Sequence, residues 1–305
     1  MKVCHFQRQI ITVQGDFAMT PGVTIRHSRD LEIARCLIAW AGQEGWNPSP
    51  HDAEAFYAAD PDGWWIAEDS DGAPIGGLSL VHAEDGGFAF LGLYIVRPDW
   101  RGKGVGIRLW NAALAASPAR CVGLDGVVEQ QENYARSGFV LAFRNQRMHF
   151  TPRHLAGLSA EGVIPLAEVP FDALCAMDRA VAYPGGRETF LKGWITPPGG
   201  AALALLKGGI LSGYGVVRPC LSGHKVGPLV ADGAEDALRL LSGLAQAVGL
   251  EEGYLDISHA NPAAVEMTAR RGMESVFETA RMYRGDAPAA LDLSRLWGVT
   301  TFELG

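Results

Sequence analysis

Hydrophobic and polar positions along this chain of 305 residues switch between two periods, and the whole pattern occurs twice. Residues 23–26 read as a short strand, and 30–41 carry apolar positions at helical spacing. A second helix, 53–59, follows the proline-punctuated segment 46–50. Segments 64–68 and 74–81 flank an Asp/Gly turn and predict a hairpin. The apolar run 90–96 predicts a third strand, and 107–115 returns to helical spacing. Leu124-Asp125 closes a further strand, a helix follows, and Ser137-Gly138-Phe139 ends it before a last strand.

The second half restarts near Val163. Residues 171–181 and 187–194 are helical, Pro197-Pro198-Gly199-Gly200 breaks the chain, and 202–207 with 210–217 form a hairpin through Gly208-Gly209. A strand at 226–230 and a helix at 234–248 follow. Leu255-Asp256 and Arg271-Gly272-Met273 then mirror the end of the first half. Strands interleaved with helices in this order predict a mixed α/β (α+β) sheet in each half. The implied boundaries are an extension at 1–21, a domain at 22–150, a linker at 151–162, a second domain at 163–286 and a tail at 287–305. Met19-Thr20-Pro21-Gly22 reads as a more natural start, which makes 1–18 an extension.

Chemistry concentrates where the strand 90–96 runs through Arg97-Pro98-Asp99-Trp100 into Arg101-Gly102-Lys103-Gly104-Val105-Gly106 and a helix. Glycines at 102, 104 and 106 let the backbone approach a ligand closely. The N–H groups of a helix start favour an anion, and Arg101 and Lys103 add positive charge. This is a phosphate cradle. A Walker loop needs Gly-Lys-Ser/Thr and a dinucleotide fingerprint needs G-x-G-x-x-G; neither spacing occurs here.

Arg101, Gly104 and Gly106 fill the pattern Arg/Gln-x-x-Gly-x-Gly/Ala, and the segment resembles the acetyl-CoA loop of the GCN5-related N-acetyltransferases, the GNAT family. Tyr134-Ala135-Arg136-Ser137-Gly138-Phe139 resembles a second mark of that family. The resemblance implies two tandem GNAT domains and acetyl-CoA as cosubstrate. It implies a cofactor site of Tyr94, Ile95, Val96, Arg101, Gly102, Lys103, Gly104, Val105 and Gly106, with a backbone N–H near Val96 polarising the thioester. Tyr134 would protonate the departing thiolate, a task that suits a phenol. The family's usual Asn-x-x-Ala is missing, since Val127 stands at the asparagine position; Gln130 or Asn133 would substitute if the helix is phased differently. Further likeness to a tandem subgroup lies in Leu124-Asp125-Gly126-Val127, the run 130–139, Gly227-Pro228-Leu229 and the terminal Phe302-Glu303-Leu304-Gly305.

The two halves differ at the cradle. Where the first has 101–106, the second has Ala231-Asp232-Gly233-Ala234-Glu235-Asp236, whose three carboxylates repel phosphate, and Thr268 takes the place of Tyr134. One cofactor per chain is therefore expected, with the second cleft empty or filled by its neighbour. Charge and composition add limits: a formal net charge of −8 argues against nucleic acid, and no apolar run is long enough for a membrane helix. Five widely spaced cysteines (Cys4, Cys36, Cys121, Cys175, Cys220) without a C-x-x-C pair read as reduced thiols in a cytoplasmic chain, and nothing suggests a metal.

The expected acceptor is a primary amine, of a small molecule or of a protein; a non-catalytic acyl-CoA-binding module would keep 101–106 without needing Tyr134. Trp40, Trp46, Phe56, Tyr57, Trp64 and Trp65 offer either an acceptor wall or core packing, with Trp64 and Trp65 assigned to the core. Asp125 and His82 are candidate bases, although Asp256 repeats Asp125 and suggests helix capping instead. Glu84 and Asp85 read as turn residues, and Glu129 is a further nearby carboxylate. Tyr183, Arg187, Arg218, His224 and Lys225 read as solvated loop residues that could face the first domain's cleft if the second closes over it.

Overall fold

The computed structural model describes residues 22–305 apart from 287 and 289. The N-terminal extension with its second start, and Cys4, lie outside the described residues. In the first half the elements are β1 (Thr24–Ser28), α1 (Leu31–Gln43), α2 (Asp52–Ala59), β2 (Trp64–Glu68), β3 (Pro74–His82), β4 (Phe88–Val96), α3 (Val105–Ala116), β5 (Cys121–Val127), α4 (Gln131–Arg136) and β6 (Val140–Phe150). The second half runs β7 (Val163–Pro165), α5 (Phe171–Val181), α6 (Glu188–Trp194), β8 (Ala201–Lys207), β9 (Ile210–Pro219), β10 (His224–Ala231), α7 (Ala234–Ala247), β11 (Gly253–Ser258), α8 (Pro262–Arg270) and β12 (Glu274–Gly285), ending with β13 (Leu296–Gly298). Local chemistry sets the helix starts. Asp30 caps α1 by accepting from the Glu32 N–H at 3.0 Å, and Asn261 caps α8 through the N–H groups of Ala263 and Ala264.

The expectation of one sheet per half is corrected. A single sheet runs β1-β2-β3-β4-β5-β12-β6-β11-β10-β9-β8-β7, with β13 added beside β10. Each half gives its last strand to the other: β12 pairs antiparallel with β5, and β6 with β11, while β6 and β12 pair with each other at the seam. Two buried ion pairs mark the exchange. Arg281 on β12 grips Asp125 on β5 with two bonds of 2.7 Å, and Arg147 on β6 grips Asp256 on β11 at 2.7 and 2.8 Å. Both are bidentate fork contacts, which fix the register of the strands that carry them. Asp125 and Asp256 thus repeat for a reason other than helix capping.

The helices on one side join the halves as well. Phe56 of α2 stacks on Trp194 of α6 at 5.8 Å, and both belong to a core built from the two halves, with Leu37, Trp64, Ile66, Phe190 and Leu304. At its edge Arg218 pairs with the buried Asp52 at 2.8 Å. The halves are therefore one hydrophobic body.

The residues after β12 are no peripheral tail. β10 and β11 pair in parallel only from His224 to Val226 and then diverge. β13 enters that opening, pairing Leu229 with Gly298, and the Val299 N–H donates to the Asp256 carbonyl at 2.7 Å. Gly227 and Gly298 admit this close approach, since a Cβ on either would collide with the facing segment. The chain then passes to the first half, where 302–305 are buried. Arg187 anchors it by donating to Thr300 Oγ1 at 2.7 Å and to the Gly305 main-chain oxygen at 3.1 Å.

Candidate active site

The site begins with a defect in β4. Ser79 faces Gly92 and Gly77 faces Ile95, so Leu93 and Tyr94 together oppose the single residue Leu78. Leu93 takes φ +48°, a left-handed conformation that costs an L-residue with a Cβ about 1–2 kcal/mol. Beyond this bulge β4 leaves β5: their parallel pairing runs from Phe88 with Cys121 to Leu91 with Leu124 and stops. The strands open into a wedge.

At the outer end of the wedge lies the glycine loop. Gly102 and Gly104 have φ of +74° and +77°, and a Cβ at either would meet nothing within 4 Å, so the loop's open side faces free space. Gly104 is the N-cap of α3 and supplies no side-chain acceptor, which leaves the N–H groups of the first turn for an anion. Gly106 is needed for a different reason: a Cβ there would run into the Tyr94 hydroxyl. Arg101 donates from Nε to the Val96 carbonyl at 2.8 Å and pairs through its other end with Glu44, the C-cap of α1. The Arg97 N–H is spent on Ile75 of β3, so the peptide groups of Val96 face the wedge instead. Lys103 sits over the Trp100 ring at 4.9 Å, and Val105 is buried beneath the loop.

A cavity of about 630 Å³ connects this loop to the interior. Of the residues expected to bind cofactor, Tyr94, Ile95, Val96, Arg101, Gly102, Gly104 and Gly106 line it, while Lys103 and Val105 do not. Tyr134 lines it from α4, its ring stacked on Trp110 at 5.5 Å and 18° and pressed against Gly126. Burial raises the Tyr134 phenol well above its ordinary range, helped by Tyr94 and Glu129, so the proton stays on the oxygen at neutral pH. Burial likewise pushes Tyr94 up to about 12. Gln130 lines the cavity near the missing asparagine and accepts from Asn133 at 2.7 Å.

Apart from Trp46, one of the aromatic residues offered as an acceptor wall, the inner end was not foreseen from sequence. It is built by Trp46, Arg147, Phe277, Thr279, Phe302 and Glu303, of which four come from the second half. Arg147 lies over the Phe302 ring at 4.9 Å and donates to the Trp46 carbonyl at 2.9 Å. The unusual terminal run Phe302-Glu303-Leu304-Gly305 was the available signal, but nothing in it tells where the chain end docks.

Several candidates lie elsewhere. His82 is held between Asp60 at 2.7 Å and Ser117 at 3.0 Å, away from the cavity. Asp125 reaches the cavity wall but is occupied by Arg281 and Asn145. Glu84 does more than decorate a turn, since it accepts from the Thr189 N–H at 2.8 Å at the start of α6. Tyr183, Arg187, Arg218 and Lys225 are buried between the halves, which corrects the reading of solvated loops; His224 is half-buried. Trp64 and Trp65 are core residues. Among the described residues no group of three or more His, Cys, Asp or Glu could hold a metal ion. No helix among them is long and apolar enough to cross a membrane.

These features fit acyl-CoA: an uncapped helix start behind an open glycine loop for the pyrophosphate, and a wedge between parting strands for an extended arm. Comparison with known proteins agrees. The model of the acetyltransferase (GNAT) family matches residues 31–139, and a model described as an acetyltransferase (GNAT) domain matches 174–298. Holothin acyltransferase of Pseudoalteromonas sp. (strain SANK 73390) is 30% identical over 278 residues, covering 90% of this chain and 92% of the relative. Among solved structures, a proposed acetyltransferase from Pyrococcus horikoshii superposes with a TM-score of 0.78 at 21% identity, covering 96% of this chain and 99% of the other. A tandem GNAT protein from the clavulanic acid biosynthesis pathway superposes with a TM-score of 0.61 at 16% identity, covering 88% and 100%.

Proposed function

The chain belongs to the GNAT acetyltransferase family, and on that premise we propose that it is a cytoplasmic acetyl-CoA-dependent N-acetyltransferase acting on a primary amine of a small molecule. The observation that carries the reading is a cavity that runs from the glycine loop past Tyr134 to an inner end lined by the second half. Phe302 and Glu303, which line that end, are themselves buried, and a buried end favours a small acceptor over a protein chain. The name of the 30%-identical relative supports acyl transfer as the reaction class. The unpaired thiols of Cys36, Cys121, Cys175 and Cys220 suit a reducing compartment.

Acetyl-CoA supplies the activated thioester. The N–H groups at the start of α3 and the Gly102–Gly104 backbone bind its pyrophosphate, and Tyr94, Ile95 and Val96 line the arm's path. The Val96 N–H, turned into the wedge, is the donor for the carbonyl oxygen where charge develops. Tyr134 Oη holds a proton through the neutral range and gives it to the leaving sulfur. The second half binds no cofactor, because β13 fills its wedge, and serves to line the acceptor end.

A screen of primary amines for CoA thiol release, with acetyl-CoA as donor, tests this reading. Release that depends on a particular amine is the expected result. Tight acetyl-CoA binding with no release on any amine would instead favour a non-catalytic binding protein.

A further inference from the structure

We propose that Glu303, carried by the terminal segment of the second half, is the group that receives the acceptor's ammonium in the first half's site and removes its proton. The inference rests on the N-acetyltransferase reading above and names the acceptor class: a basic primary amine, cationic at neutral pH.

Three carboxylates line the cavity, and two are spoken for. Glu44 pairs with Arg101 at the outer end. Asp125 is held by Nε and Nη2 of Arg281 and by Asn145 Nδ2 at 2.8 Å. Glu303 is 4% exposed, and its Oε2 is buried without a hydrogen-bond partner among the described residues. An unbonded buried carboxylate oxygen is costly and rarely kept without a ligand to complete it. Thr279 Oγ1, also on the cavity wall, is unpartnered in the same way. Two orphaned acceptors at the inner end match an ammonium, which carries three donors and no acceptor.

Three cations lie near Glu303, and each has another partner, although Arg218 Nη1 is left buried without a hydrogen bond. Arg147 of β6 pairs with Asp256, Arg218 of β9 with Asp52, and Lys225 of β10 donates to the Trp46 carbonyl at 3.0 Å. Each of the three still feels the Glu303 charge, as does Asp125 of β5. The position of Glu303 is fixed independently of any ligand. Its carbonyl packs on Gly92 where β4 and β5 part, and the Glu303 and Leu304 N–H groups donate to Thr301 Oγ1 at 3.0 and 2.9 Å. The carboxylate is thus carried to the inner end of the wedge by a segment that Arg187 anchors.

The proton balance closes. One ammonium proton passes to Glu303 and frees the nitrogen lone pair. The C–N bond forms as the C–S bond breaks, and the electron pair leaves on sulfur. Tyr134 supplies the proton that sulfur takes, the second N–H proton restores the phenol, and Glu303 releases its proton to solvent. The products are an amide, a thiol and one proton.

The test compares wild type and Glu303→Gln on matched panels of primary alkylamines and arylamines, following CoA thiol release from pH 7 to 10. Alkylamines are protonated at pH 7, with pKa values near that of lysine at about 10.4, whereas arylamines are already neutral. Glu303→Gln should slow alkylamine turnover at pH 7 by roughly a hundredfold or more, the scale of a lost general base. Raising the pH should recover that loss, and arylamines should lose much less. Unchanged alkylamine turnover at pH 7 overturns the proposal. So does an equal loss on both panels with no recovery at high pH, which would mark a structural role. Calorimetric titration of both proteins with acetyl-CoA separates the failures. Wild type that binds acetyl-CoA but acetylates neither panel refutes the enzyme reading and this inference together. A wild type active on amines whose Glu303→Gln variant keeps its rate refutes only the role of Glu303.

Discussion

Gly92 of β4 and Glu303 of the terminal segment are packed so closely that a Cβ on the glycine would collide with the glutamate's carbonyl oxygen. The two lie 211 positions apart in sequence (303 − 92) and come from different halves. This contact seats the second half's chain end at the point where β4 and β5 part. Gly92→Ala is expected to push the segment off its seat, because the obstructing atom is backbone and cannot swing aside. Overpacking of this kind costs roughly 1–3 kcal/mol, and the displaced inner wall should raise the KM for the acceptor. Thermal melts and steady-state kinetics check both, and an alanine variant with wild-type stability and acceptor KM would refute the seating argument.

The glycine loop predicts a contrast between two variants at one position. Gly104 has φ +77°, so any side chain there is strained, but asparagine tolerates this region better than most residues. Gly104→Asp adds a negative charge where a pyrophosphate would sit, and a like charge at about 4 Å costs on the order of 4 kcal/mol near a surface. Calorimetric titration with acetyl-CoA is expected to show weakened binding for Gly104→Asn and no detectable binding for Gly104→Asp. Equal affinities in the two folded variants would mean that phosphate does not bind there.

Tyr134→Phe keeps the ring stacked on Trp110 and removes only the hydroxyl. Acetyl-CoA affinity should hold while turnover falls by roughly ten- to a thousandfold, as for loss of a positioned acid. The raised phenol also sets a pH signature. Because burial disfavours the phenolate, Tyr134 keeps its proton past pH 10, so its ionisation produces no alkaline fall in wild-type rate below that pH. An unaltered rate in the phenylalanine variant would make Tyr134 a packing residue.

Tyr94 gives the corresponding prediction for stability. Its folded value is about 12 against an ordinary 10.0, raised by burial. Below pH 10 the phenol is neutral in both folded and unfolded chains and its contribution is fully present. Between pH 10 and 12 the unfolded chain ionises first, so that contribution is lost as pH rises, by about 2–3 kcal/mol in all. Denaturant titrations at pH 9 and 11 should therefore show a smaller decrease in Tyr94→Phe than in wild type. The same decrease in both would assign the effect to other groups.

The filled wedge of the second half predicts stoichiometry. β13 pairs with β10 where a cofactor arm would otherwise enter, and Asp232, Glu235 and Asp236 stand at the corresponding helix start. Asp236 pairs with Lys207 at 2.5 Å, Asp232 with Arg295 at 2.6 Å and Glu235 with Arg239 at 2.6 Å, which offsets part of that charge and leaves β13 as the main obstacle. One acetyl-CoA per chain is expected by calorimetry. Two equivalent sites would require β13 to leave its groove.

Local rules made much of this protein readable from its residues. Period and punctuation placed nearly every helix and strand, because helical spacing, strand runs and Gly/Pro breaks are properties of neighbouring positions. The duplication was legible for the same reason, as were the open glycine loop at 101–106 and the acidic segment that stands in its place at 231–236. The strand exchange was not legible, since β6 and β12 carry the same alternation whichever β-strand they join. The pairing of Arg281 with Asp125 and of Arg147 with Asp256 records which partner each strand has, and those contacts span 156 and 109 positions. The inner end of the cavity was decided in the same way. Phe302 and Glu303 acquire their place because β13 lodges between diverging strands and Gly92 leaves room for the carbonyl beyond it. Burial, packing against a distant backbone and an unpaired carboxylate oxygen arise only when remote segments meet, so only the tertiary structure could bring Glu303 to Tyr134's cavity.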